Sequence, residues 1–215
     1  MNKVYKLLHD YEHLVDMDFD ACHEPFIGED TIGFNMMGID EFYMPGEIYF
    51  RANLNVIPNY TDFPITDLTF PIFSKRMIDV LQSIKPFKKK LLKTIMIDDT
   101  YLNEYKNENG NIKDEVRFVD TYVGVQFLEY TDAFDYKNSI YKPMRSNPGM
   151  PGVIQKLVLK EPNSGFPPMF KIKENLNTIF LSDNAKRSLE SINIKGCVFE
   201  EVEVSNSSNH CTRNA

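Results

Sequence analysis

Apolar and polar positions change their period several times along this chain, and each change predicts an element. In "PIFSKRMIDVLQSI" (71–84), Met77, Ile78, Leu81 and Ile84 recur at three- and four-residue intervals. That spacing predicts a helix over 75–84 with one apolar face. Ser74 stands at its N-cap, where a hydroxyl can accept a bond from an otherwise unpaired backbone N–H. Pro86 stops it. "IFLSDNAKRSLESI" (179–192) repeats the phrase at a constant spacing: Ser74 maps to Ser182, Leu81 to Leu189, Ser83 to Ser191 and Ile84 to Ile192. Ser182 is the second cap, Ala185, Leu189 and Ile192 form the second apolar face, and Gly196 ends the turn that follows. The repeated unit is an apolar lead-in, a capped short helix and a return to strand. It arises either from a duplicated half or from convergence on a common pattern.

Elsewhere the period is two. Val123, Val125 and Phe127 alternate as a strand requires, and residues 91–130 read as two or three antiparallel strands, with a hairpin turn at Asn109-Gly110 because both residues tolerate positive φ. "IGFNMM", "EIYF" and "LTFPIF" read as short strands among turn formers, and Pro25, Pro45, Pro58 and Pro64 exclude a long helix there. "KPFKKKLLK" (85–93) reads as a solvated connector, "YKPMRSNPGMPGV" (141–153) as a loop, "IQKLVLKE" as a strand, "FPPMFKIKE" as an extended segment and "CVFEEVEV" as the last strand. The expected fold is α+β: a mainly antiparallel sheet with a few short capped helices and a candidate internal duplication of a strand–helix unit.

Charge narrows the partners. The 215 residues hold 31 Asp and Glu against 24 Lys and Arg, a formal charge of −7. Phosphate backbones and anionic lipid repel such a surface, which disfavours nucleic acid and membrane and suits a basic protein partner. No apolar run reaches the length of a membrane span, and "MNKVYKLLHDYEHLVD" lacks the basic-then-apolar order of a signal peptide. Cys22, Cys197 and Cys211 are odd in number and widely spaced, which fits free thiols in a reducing cytoplasm.

Few residues announce chemistry. The chain has no glycine-rich phosphate loop, no nucleophile elbow and no paired zinc motif, so no catalytic residue, metal site or cofactor is assigned. His9, His13, Cys22 and His23 are the nearest thing to a ligand group; the competing reading is four surface or half-buried polar residues. The same stretch carries Asp10, Glu12, Asp16, Asp18, Asp20 and Glu24. In "DMDFD" the acids alternate with Met17 and Phe19, so a strand would place them on one side, either as a solvated face or as an acidic docking strip. The spacing opens like a calcium loop, but Ala21 and Ile27 stand where that loop needs Gly and Glu. "IDDT" (97–100) and "TDAFDYKNS" (131–139) are the other acidic clusters.

"DAFDYKNS" (132–139), "QKLVLKE" (155–161), "PPMFKIKE" (167–174), "IFLSDNAKRSLES" (179–191) and "IKGCVFEEVEV" (194–204) occur in an order that resembles the Myxococcus-type immunity domain, immunity family eleven of bacterial polymorphic toxin systems. The likeness is clearest over 119–204. It implies a cytoplasmic protein that binds and neutralises a toxin encoded beside it. It also implies one immunity-type domain over 1–204; the repeated phrase makes 1–90 and 91–204 candidate halves, and "SNSSNHCTRNA" (205–215), with nothing to bury, reads as a flexible tail. The phrases are structural, so no contact residue carries over. Two readings compete: a carboxylate- or metal-dependent enzyme built on the N-terminal His/Cys/Asp group, which bound metal would favour, and a structural assembly module, which an obligate homo-oligomer would favour.

Overall fold

Ser74 and Ser182 both cap as expected. In the computed structural model, which describes residues 2–12, 19–24, 38–40, 46–68 and 70–205, the Ser74 hydroxyl accepts the Met77 N–H at 3.3 Å and the Ser182 hydroxyl accepts the Ala185 N–H at 3.4 Å. The second pair of matched serines also acts alike: Ser83 and Ser191 each donate 2.7 Å bonds to the carbonyl three residues back. The correspondence of the two phrases is thus one of structure and not only of letters.

In chain order the elements are β1 (Val4–His9), β2 (Ala21–His23), β3 (Glu47–Ala52), α1 (Ile57–Tyr60), β4 (Ile72–Ser74), α2 (Lys75–Ile84), β5 (Lys89–Asp98), β6 (Phe118–Phe127), β7 (Ile140–Pro143), β8 (Pro151–Lys156), β9 (Val158–Lys160), β10 (Met169–Ile172), β11 (Asn175–Ser182), α3 (Asp183–Ser191) and β12 (Cys197–Ser205). They build two five-stranded sheets, β2-β3-β5-β6-β4 and β10-β11-β1-β12-β9, and a two-stranded β7–β8 ribbon. The protein is mostly β with some helix.

The repeat extends into the pairing register. β6 lies antiparallel between β4 and β5, with Ser74 opposite Tyr122 and Tyr122 opposite Thr94. β1 lies antiparallel between β11 and β12, with Ser182 opposite Val4 and Val4 opposite Val202. The spacing that carries Ser74 to Ser182 also carries Thr94 to Val202. Each unit then adds a parallel strand beyond its post-helix strand: β3 on β5, and β9 on β12. Strand, helix, strand and parallel neighbour therefore recur in one order, and the N-terminal β1 fills in the second sheet the place that β6 fills in the first.

Five expectations need correcting. The sheets are mixed and not mainly antiparallel, since each contains a parallel pair. A division after residue 90 would cut β5, and β1 from the first part belongs to the second sheet. The 85–93 connector is in part strand, because Lys89 opposite Phe127 begins the long β5–β6 ladder. The 141–153 loop likewise contains the β7–β8 ribbon, with Pro143 opposite Pro151; proline is tolerated there because neither strand is central in a sheet. Ile192 lies just past α3, and Ile194 packs on the core in its place. The tail expected at 205–215 lies, after Ser205, outside the described residues.

One core runs between the two sheets and includes both helices: Met77, Ile78 and Leu81 of α2 and Ala185 and Leu189 of α3, against Phe73, Val123 and Val125 of one sheet and Leu7, Ile179 and Leu181 of the other. Burying side chains of this size contributes about 1.5–3 kcal/mol each. Asp62 fastens the units together. It is 4% exposed and accepts bonds from the Ser74 hydroxyl at 2.6 Å, the Arg76 guanidinium and the Lys195 N–H at 3.0 Å. Arg76 also reaches the Ile192 carbonyl at 3.3 Å.

Candidate functional site

Residues 98–117, which connect β5 to β6, carry six carboxylates and three cations. Four of their apolar residues point one way. Tyr101, Tyr105, Ile112 and Val116 pack on Tyr49, Ile95 and Ile97 of the first sheet. This face of the sheet also carries the helices farther along, so the loop covers the part they leave open. Backbone bonds hold it: Asp99 N–H to the Ala52 carbonyl at 3.0 Å, Lys113 N–H to the Tyr105 carbonyl at 2.9 Å, and Asp98 N–H to the Arg117 carbonyl at 3.0 Å. The tip is the Asn109-Gly110 turn that the sequence predicts. Gly110 has φ +78°, and the Asn107 side-chain oxygen accepts the N–H groups of Asn109 and Asn111.

The three cations are used within the fold. Lys106 Nζ lies 3.9 Å from the Tyr49 ring centroid and 5.7 Å from that of Tyr105, a cation–π arrangement. Lys113 Nζ donates to the Glu104 carbonyl at 2.6 Å. Arg117 lies back on Asn55 at 2.7 Å, the Leu54 carbonyl at 3.2 Å and Asp98 at 3.5 Å. The Asp98 carboxyl is buried and held below the usual carboxylate range, first by the Thr100 hydroxyl and N–H and then by Arg117. Glu104, Glu108, Asp114 and Glu115 remain exposed. Leu102 is 85% exposed, the most exposed of the large hydrophobic side chains described. The outward face is therefore acidic around an apolar side chain, on a backbone tied down from beneath.

Of the N-terminal acidic strip, Asp20 and Glu24 are engaged within the fold. Asp20 is buried and accepts the Ile65 N–H at 2.7 Å, because the 61–66 loop needs an acceptor there. Glu24 pairs with Arg51, whose guanidinium also holds the Tyr101 carbonyl and so supports the 98–117 loop. Asp10 is half-buried and accepts the Glu12 N–H at 3.0 Å, while Glu12 is exposed. Asp16 and Asp18 lie outside the described residues, as does His13. His9 stacks on Phe63 with ring centroids 3.7 Å apart, and its Nδ1 meets the Phe63 carbonyl at 2.9 Å. A carbonyl only accepts, so Nδ1 carries the proton. His23 pairs with Asp67 at 2.7 Å, and Cys22 is exposed. No group of three or more His, Cys, Asp or Glu able to hold a metal occurs among the described residues. In the 131–139 cluster, Asp135 orders its own turn by accepting the Lys137 and Asn138 N–H groups, and Asp132 pairs with Lys160.

In the 98–117 loop the sequence singles out only "IDDT" at its start and the Asn109-Gly110 turn at its tip. The alternation of inward aromatics and outward acids is hidden there, because an irregular loop has no fixed period. Comparison with known proteins returns no matching family model and no matching curated relative.

Proposed function

We propose that this chain is a bacterial immunity protein that binds and neutralises a toxin encoded beside it, and that the outward face of residues 99–117 is its docking surface. The observation that carries the docking surface is the division of charge in that loop: its cations are taken up by rings and carbonyls beneath, and its carboxylates face out. Fixed negative charge beside an exposed leucine suits a partner with a basic contact site, since complementary charge steers encounter and a central apolar side chain anchors it. The net charge of −7 and the order of the C-terminal phrases support the same reading. The partner is a protein, and the setting is the cytoplasm. The activity is stoichiometric binding, with no catalytic residue, metal or cofactor. Asp10, Glu12, Asp16 and Asp18 of the N-terminal strip form a secondary contact. The two units, with their shared register, are read as descendants of one duplicated strand–helix element.

The test is co-expression with the toxin gene adjacent to this one. The expected result is restored growth and co-purification of a stable complex. Continued toxicity with no complex would refute the reading.

A further inference from the structure

Lys171 sits where the sequence gives no reason to expect a buried charge. Strand β10 is an edge strand, and all four of its residues are buried. Phe170 and Ile172 pack with Phe180 and Val202 on one face of the second sheet. Met169 faces the shared core between the sheets, and by the alternation of a strand Lys171 does too. It is 3% exposed. Its Nζ lies 5.4 Å from the Phe127 ring centroid and, among the described residues, has no hydrogen-bond or carboxylate partner. Burial lowers its ammonium to about 8, so it still carries its charge at neutral pH. An unpaired buried ammonium costs free energy that a bound counter-charge would offset.

Lys171 lines a cleft of about 420 Å³ between the sheets, together with His9, Phe63, Thr66, Phe70 and Asn177. Among the described residues, no Asp or Glu lines it. On one side His9 stacks on Phe63 at 3.7 Å, and Phe63 is backed in turn by Phe73 at 4.8 Å. The cleft thus offers one cation, an amide and a hydroxyl around apolar surface that includes Phe70 and Ile179. That combination of apolar lining and few placed polar groups is how small-molecule sites are built.

We propose that this cleft binds a small organic anion, a carboxylate on an apolar body, with the carboxylate on Lys171 and the body against the apolar lining of Phe70 and Ile179. The site is separate from the acidic loop and does not depend on the toxin-binding reading.

The probes are sodium benzoate and benzyl alcohol, which share a ring but differ in charge, titrated into the whole chain and followed by backbone amide NMR. Benzoate should give saturable shifts confined to residues around 63–70, 171 and 177. It should bind wild type at least about tenfold more tightly than benzyl alcohol does. Lys171→Met keeps the volume and the apolar stem, so it should fold and lose that preference; Asn177→Ala should weaken benzoate by a smaller factor. Absence of saturable benzoate shifts, or equal affinity of wild type for the two probes, would overturn the proposal whether or not either variant folds. So would a folded Lys171→Met that still prefers benzoate.

Discussion

At the residue scale, the two capping serines do unequal work. Each hydroxyl accepts one helix N–H, but Ser74 is buried and also donates to Asp62, whereas Ser182 is half-exposed. Ser182→Ala should cost about 1 kcal/mol, the usual value of a cap. Ser74→Ala should cost about 2 kcal/mol, since it also removes a donor from a buried carboxylate. Denaturant melts of both variants check the order. Lys171 gives a pH signature. Its pKa is lower folded than unfolded, so between about pH 8 and 10.5 the unfolded chain holds a proton that the folded chain has released. Stability contributed by this residue should therefore rise across that window, by an amount on the order of 3 kcal/mol. Below it, both states are charged and the folded state bears the full cost of burial. Melts across the window should show that rise in wild type and its loss in Lys171→Met. Sequence reading found the serines because a cap is local. It missed Lys171 because a lysine in an edge strand is normally turned to solvent, and only the opposite sheet, remote in sequence, turns this face into an interior.

At the element scale, both helices were legible within a residue of their ends, since cap, apolar spacing and stop are all written within fifteen residues. Gly196 was legible as a turn, but the demand on it is larger than a turn requires. Its φ is +68°, and a Cβ there would lie 2.1 Å from the Thr61 hydroxyl oxygen and 2.8 Å from the Thr61 Cα. Gly196→Ala should therefore destabilise by about 3 kcal/mol, through a left-handed backbone and a clash that the neighbouring backbone cannot relieve. Thermal melting measures it, and an unchanged midpoint would mean that the 193–196 turn does not press on 61–63 as described. Alternation puts the charges of "DMDFD" on one face, but Asp20 turns inward because it is the acceptor for the Ile65 N–H; Asp16 and Asp18 lie outside the described residues.

For the whole molecule, the repeated phrase predicted two related units, and the register of β4–β6–β5 and β11–β1–β12 agrees. What the sequence does not reveal is where β1 goes. Pairing residues 4–9 with 179–182 and 197–202 is entirely non-local, and no short-range pattern encodes it. The parallel pairs, which made the sheets mixed, were missed for the same reason. This topology predicts that the chain tolerates circular permutation. Val4 lies opposite Val202, so a linker of about five residues from Ser205 to Asn2 should join β12 to β1 much as residues 99–117 join β5 to β6. A permutant closed there and opened within 13–18 should fold with stability within about 2 kcal/mol of the parent. Loss of cooperative unfolding would contradict the two-unit description.

Contact between the acidic loop and the partner is the feature most directly open to measurement. Association with the neighbouring gene's toxin should be timed across a salt series for wild type and for a variant with Glu104→Lys, Glu108→Lys and Asp114→Lys. These side chains are exposed, so the fold should survive their reversal. At low salt the variant should associate at least about tenfold more slowly, and the two rates should converge as the screening length shortens. Equal rates with equal salt dependence would mean that the partner binds elsewhere.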